Sequence, residues 1–274
     1  MSRTETTART ETVARTASTP AVELLPGVSL RVLVSEHCGA RGVTTGSVTL
    51  KPGGVLPYHT HLFSEAITVL AGELQFEVEG RSYRLRALDC IHLPANVPHQ
   101  ASNVSNTDCV CHAAFASGSA LRELVSDTFK TVELGDGVPP AGAPEHIARF
   151  DRVEKYMLAP NAEFRDLFAA RFGSRGICGG YGVFQPGASL PCHVHKYDES
   201  ITIVSGAAVC EAAGNRYTLS NCDTASVPEG MPHRFLNEST EPMAMIWVYA
   251  GDEPERTLVD AAYCTGVLKL KSNS

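Results

Sequence analysis

The chain has 274 residues, 43% of them hydrophobic and 19% charged, with a formal net charge of −7. That balance can bury a real core, which excludes the disordered and fibrous classes. The acidic charge removes the basic surface that gripping a phosphate backbone requires, so no nucleic-acid partner is expected.

No apolar run approaches the ~20 residues of a membrane helix, and the first residues lack the apolar core of a secretory signal. No membrane association is expected, and the cytoplasm is the expected compartment. Residues 1–20, MSRTETTARTETVARTASTP, are nearly all Thr, Arg, Glu, Ala and Ser. They carry too few apolar side chains to offset the entropy of ordering them, which predicts a disordered tail.

From residue 21 to 130 the texture changes to short alternating segments, such as Ala66-Ile67-Thr68-Val69-Leu70 and Leu74-Gln75-Phe76-Glu77-Val78, punctuated by Gly, Pro and Asn. These are strand signals. Residues 131–159 form a connector that is first rich in Gly and Pro and then places Ile147, Phe150, Val153 and Met157 at helical spacing. That spacing predicts a linker followed by a short helix packed on its neighbour. Residues 160–264 return to the alternating texture, and 265–274 read as a tail. Short strands with a turn every ten residues or so imply an all-β class, an antiparallel barrel or jelly roll.

Sliding the sequence against itself shows that the alternating unit occurs twice. At an offset of 134, His59 falls on His193, His61 on His195, Glu65 on Glu199, Gly72 on Gly206, Tyr83 on Tyr217, His99 on His233 and Asn103 on Asn237. Arg41 meets Arg175 and Arg122 meets Arg256, with no insertion between.

Nine cysteines, an odd number without a C-x-x-C pair, read as mostly reduced, buried thiols. Cys192, beside His193, reads as a small packing residue. Arg41 and Arg175 are expected in salt bridges, with anchoring of an anionic substrate as the alternative. His37, His92 and His112, present only in the first copy, read as surface or hydrogen-bonded histidines, with His112 also a candidate proton shuttle.

The chemistry lies in G-x5-H-x-H-x3-E-x6-G, here Gly53, His59, His61, Glu65 and Gly72, followed by His99 within Pro94-x-Asn96-x-x-His99. Alternation on a strand puts i and i+2 on one face, so His59 and His61 project together. Three imidazoles and one carboxylate make a mixed N/O set suited to a transition metal with open positions. The second copy repeats the set as His193, His195, Glu199 and His233.

These segments resemble the paired signature motifs of the cupin superfamily, in order and spacing, over nearly the whole chain after the tail. The resemblance implies two tandem cupin (double-stranded β-helix, jelly-roll) barrels. It also implies up to two divalent transition metals per chain, iron or manganese expected and nickel, cobalt, copper or zinc compatible. Leu88 and Cys222 stand where the family's second motif opens with Gly, and Asn96 replaces the inner Gly; Asn tolerates positive φ.

Bicupins include quercetinases, oxalate decarboxylases and isomerases, so the fold does not fix the reaction. A resemblance to oxalate decarboxylase would place an Arg three residues before the first motif histidine. Leu56 and Leu190 stand there instead, which disfavours a small dicarboxylate and favours an apolar or aromatic small-molecule substrate. Phe63, Tyr197, Phe76 and Leu62 are candidates to line its pocket. The leading expectation is a mononuclear dioxygenase that cleaves a C–C bond, with Glu65 and Glu199 completing the shell or serving as general base. A redox-neutral isomerase, lyase or decarboxylase and a non-catalytic small-molecule or metal sensor are the alternatives. A homodimer is compatible with this reading.

Overall fold

The computed structural model describes residues 9–269. It contains two all-β barrels, each made of two facing sheets. In the first barrel, a seven-stranded sheet runs in the order His146–Ala148, Cys90–Leu93, Glu65–Ala71, Cys109–Phe115, Thr44–Leu50, Val28–Val34, Val22–Leu25. It faces a six-stranded sheet ordered Glu123–Leu124, Val55–Thr60, His99–Ser102, Leu74–Val78, Arg81–Leu85, Val132–Gly135. The second barrel repeats the plan, its larger sheet running Thr12–Ala14, Thr224–Val227, Glu199–Ser205, Met243–Tyr249, Cys178–Phe184, Ala162–Phe168, Tyr156–Ala159. Among the described residues no helix is long and apolar enough to cross a membrane.

Burial follows the sequence pattern. Leu74–Val78 alternates buried and half-buried positions because one face looks into the barrel and the other toward solvent. Met243–Tyr249 is buried at every position. Its Met243, Met245, Trp247 and Tyr249 fill the second barrel, while Ala244, Ile246 and Val248 join Ala114, Phe168 and Ile177 in an apolar layer between the barrels. A strand buried on both faces has no polar side to show. Thr45 Oγ1 and Ser200 Oγ, 2.6 Å apart and buried, tie the two larger sheets together.

The barrels also exchange strands. Thr12–Ala14 pairs with Thr224–Val227 of the second barrel, and His146–Ala148 pairs with Cys90–Leu93 of the first. The two arms are 146 − 12 = 134 residues apart, so they are copies of one element, each completing the sheet of the other barrel. Their anchors match as well. Arg15 Nη1 meets Asp223 Oδ2 at 2.7 Å, and Arg149 Nη1 meets Asp89 Oδ2 at 2.8 Å. Glu11 accepts from Tyr217 Oη, and Glu145 from Tyr83 Oη.

Several expectations are corrected here. Residues 1–8 of the expected tail lie outside the described residues, but Thr12–Ala14 is a strand, because pairing and ion pairs supply what hydrophobicity does not. The expected helix over 147–157 is absent. That segment is strand His146–Ala148, a turn, then strand Tyr156–Ala159; the short α-helix is Ala261–Cys264 instead. Of the expected C-terminal tail, 265–269 continue from that helix in turns, Leu268 donating its N–H to the Ala262 carbonyl, and 270–274 lie outside the described residues. Cys192 and Cys264 form a disulfide, so these two are not reduced thiols. Neither Arg41 nor Arg175 forms a salt bridge among the described residues; the backbone N–H of Arg41 donates to Asp198, and Arg175 Nη1 donates to the Ser174 carbonyl. Leu88, Asn96 and Cys222 all take positive φ, at 71°, 65° and 64°, so the motif turns persist without their glycines.

Candidate metal centres

Each ligand set spans both sheets of its barrel. His59 ends the strand Val55–Thr60 and lies directly across from His99 in register. His61 follows in the loop, and Glu65 opens a strand of the opposite sheet. In the second barrel His193 and His233 are likewise cross-strand partners. The metal-ligating atoms of His59, His61, Glu65 and His99 lie within 4.8 Å of one another, as do those of His193, His195, Glu199 and His233, and all eight residues are buried.

The hydrogen bonds fix which nitrogen faces the centre. His59 Nδ1 donates to the Pro57 carbonyl at 2.8 Å, His61 Nδ1 to Leu121 at 2.5 Å and His99 Nδ1 to Val97 at 2.8 Å. His193, His195 and His233 do the same with Pro191, Glu255 and Met231. With the proton on Nδ1, each Nε2 presents a lone pair inward, the arrangement that orients metal-binding histidines.

The inner atoms then have no partners of their own. His99 Nε2 and Glu65 Oε2 are 2.8 Å apart, and His233 Nε2 and Glu199 Oε2 are 2.6 Å apart. Yet all four, with His195 Nε2, are buried without a hydrogen bond. Buried polar atoms are rarely left so; acceptors converging on one point are satisfied by a cation. The donor set, neutral nitrogens plus one carboxylate, fits a divalent transition metal.

Electrostatics agree. Burial lowers His59 to about 3, helped by nearby His99, and burial lowers His193 to about 3, helped by His233. Burial alone would raise Glu65, but His61 and His99 outweigh it and bring it to about 2. Glu199 is lowered in the same way by His195 and His233. Neutral His59 and His193 and the ionised Glu65 and Glu199 are in their ligating forms.

The surroundings differ between the barrels. In the first, a narrow cavity of about 40 Å³ reaches all four ligand residues, between apolar walls that include Leu30, Leu56, Ile67, Phe76 and Phe115. On that scale one water needs ~10–15 Å³, so the space takes only a small molecule. Arg122 stands among the lining residues, positioned by its neighbours: Leu121 holds His61, and Glu123–Leu124 pairs with Thr60 and His59. Its guanidinium has no ion-pair or hydrogen-bond partner among the described residues.

In the second barrel the matching mouth, lined by Leu158, Phe164, Tyr249, Pro254 and Arg256 with Tyr156, Asp166 and Trp247, encloses about 280 Å³ and includes none of the four ligands. Trp247 replaces Ala113 and packs on Tyr249, ring centroids 4.9 Å apart. Phe164 replaces Leu30, and Phe235 replaces Ala101. Gly182, where the first barrel has Val48, leaves room for Phe164: a Cβ there would come within 2.9 Å of its ring.

Of the aromatic and aliphatic candidates, Phe76 lines the cavity and stacks on His99 at 5.6 Å. Phe63 and Tyr197 instead support His61 and His195 from behind, at 5.2 and 5.7 Å. Leu62 faces outward, 70% exposed. His37 is hydrogen-bonded, to Ser35. His92 and His112 are neither exposed nor hydrogen-bonded through the ring nitrogens left bare. His112 sits between Cys111 and Ala113, which face the first barrel's core; strand alternation therefore turns it toward the second barrel, away from any shuttle position. Arg122, Trp247 and Tyr249 were not singled out by sequence reasoning for the site, although the Arg122/Arg256 match at offset 134 was a signal for the mouths.

A family model described as a cupin domain matches residues 46–115 and 180–249. No curated protein matches. Among solved structures, the oxalate decarboxylase of Lactobacillus farciminis, crystallised as a formate complex, superposes with a TM-score of 0.74 at 15% identity, covering 90% of this chain and 88% of that one. A Bacillus subtilis oxalate decarboxylase, in a study of its Mn(II) centres, gives 0.73 at 17% identity, covering 90% and 79%. At such identities the likeness is one of fold.

Proposed function

The chain belongs to the cupin family, and from that premise we propose that it is a metal-dependent carbon–carbon lyase, a decarboxylase of a short organic acid, working in the first barrel. The observation that carries this reading is the cavity that ends on His59, His61, Glu65 and His99 and holds Arg122 as its one cationic side chain.

A divalent ion, when bound, supplies a Lewis acid that stabilises negative charge developing on a substrate oxygen. The protein does the rest. Arg122 offers a planar fork for a carboxylate. Glu65 is the one carboxylate lining the cavity, and the proton that replaces a departing carboxyl group passes through it. The walls from Leu30 to Phe115 keep water away, which strengthens each of these interactions. They also argue against oxalate itself, which has no apolar part to bury. The Mn(II) of the Bacillus subtilis oxalate decarboxylase makes manganese the first metal to load.

The oxygen-dependent cleavage expected from the sequence is the second reading, favoured by the same apolar walls, which suit O2. One experiment separates the two. Manganese- or iron-loaded protein is incubated with short 2-oxo and 3-oxo acids, with and without oxygen, while CO2 and O2 are followed. The lyase releases CO2 anaerobically; release that requires O2 uptake establishes the dioxygenase. Neither gas changing with any metal would overturn both.

A further inference from the structure

The mouth of the second barrel is walled by Tyr156, Phe164, Trp247 and Tyr249, which leave a space of about 280 Å³. Its polar groups are mostly donors. Arg256 lines it with no ion-pair partner among the described residues. Trp247 is 3% exposed and its Nε1–H is buried without a partner. The Tyr249 hydroxyl also makes no hydrogen bond to a described residue.

The acids nearby are already engaged. Asp166 accepts from Tyr156 Oη at 2.6 Å and is ion-paired with Arg171, which also contacts Glu253 Oε2 at 3.5 Å. Arg256 is the cation left over, and it occupies the place that Arg122 holds in the first barrel (256 − 122 = 134). Asp166 and Glu253 would repel a doubly charged phosphate, whereas a single carboxylate balances Arg256 alone. Aromatic walls favour a flat ring between them.

We propose that this mouth, bounded by the Tyr249 ring that packs on His195 at 4.4 Å, is a binding site for a planar aromatic carboxylate. Arg256 grips the carboxylate, with Tyr249 Oη as a further donor, and the ring lies among the aromatic walls. None of His193, His195, Glu199 and His233 lines the space itself, so the proposal is one of binding and is tested as binding. The site stands independently of the reaction assigned to the first barrel.

Trp247 is the single tryptophan of the chain, so its fluorescence reports on this space directly. The full-length protein is titrated with benzoate and with benzamide, an uncharged molecule of the same shape, and the binding heats are measured in parallel. The expected result is a saturable change in Trp247 emission with benzoate, and binding about tenfold weaker for benzamide and for Arg256→Gln, the loss of one charge-assisted contact. Arg256→Lys should recover part of the affinity, and Arg122→Gln should leave the titration unchanged. Absence of saturable binding, equal affinity for benzamide, or dependence on Arg122 rather than Arg256 would overturn the assignment. Because the readout is binding, a failure here leaves turnover in the first barrel untouched.

Discussion

At matched positions the strand behind the ligands reads Cys109-Val110-Cys111-His112-Ala113-Ala114-Phe115 in the first barrel and Met243-Ala244-Met245-Ile246-Trp247-Val248-Tyr249 in the second. The inward residues Cys109, Cys111 and Ala113 are small; Met243, Met245 and Trp247 are large. Both barrels keep the three imidazoles and the carboxylate, but the first barrel's cavity is lined by all four ligand residues and the second barrel's mouth by none of them. The two copies thus keep the same ligands while the packing around them differs.

The most severe way to break this comparison is to remove a ligand from each barrel in turn. His59→Ala should lower turnover by more than about 100-fold, beyond what loss of an outer-shell partner does. His193→Ala should leave turnover nearly unchanged. Each should cost one equivalent of metal per chain by elemental analysis. Equal losses of turnover from both would show that the second site also reacts.

The doubled architecture and the eight converging residues could be read in the sequence because a single offset of 134 aligned them. The same offset carried the exchanged arms, as Glu11-Thr12-Val13-Ala14-Arg15 against Glu145-His146-Ile147-Ala148-Arg149, but threonine-rich composition masked the match. The helical stripe at Ile147, Phe150, Val153 and Met157 misled because a strand, turn and strand can space apolar residues as one helix would. The Cys192–Cys264 bridge had no twin, since Tyr58 and Lys130 occupy the matching places, and pairing does not follow from spacing. In the first barrel Tyr58 packs on Phe129 at 4.7 Å instead. The cavity could not be read because it depends on which residues meet across the barrel.

A second test targets the filling itself. Trp247→Ala should cost about 3–5 kcal/mol of stability, the usual penalty for deleting a buried aromatic, measured by urea denaturation. The reverse change, Ala113→Trp, should overpack the first barrel at about 1–3 kcal/mol and suppress turnover while both metals stay bound. If Ala113→Trp remained active, the cavity could not be the route to the metal.

The exchanged arms give a finer contrast, because their ion pairs share a geometry and differ in burial. The Arg149 side chain is 8% exposed and Arg15 44%. Arg149→Ala removes a buried guanidinium that also donates to the Arg84 carbonyl, leaves Asp89 only the backbone N–H groups of Arg86 and Phe150, and should cost about 3 kcal/mol, whereas Arg15→Ala should cost less than about 1 kcal/mol. Urea midpoints of the two variants decide it; equal shifts would mean that burial is not what separates the arms.

The smallest effect concerns the layer between the barrels, where the first contributes His112 and the second Ile246. Burial lowers His112 to about 4, below the ordinary value of about 6.5. The unfolded chain therefore takes up this proton before the folded one does. Its contribution to stability is full above pH ~6.5 and is lost as pH falls from there toward 4, by up to about 1.4 kcal/mol per pH unit. His92, also lowered to about 4 by burial and by His146, acts with the same sign. His112→Ile copies the second barrel and removes one titrating group, so the fall in urea midpoint between pH 6.5 and 5 should become shallower by about that amount, with metal content unchanged. An unaltered slope would place the acid sensitivity in the ligand histidines instead and make the two faces of the interlayer electrostatically equivalent.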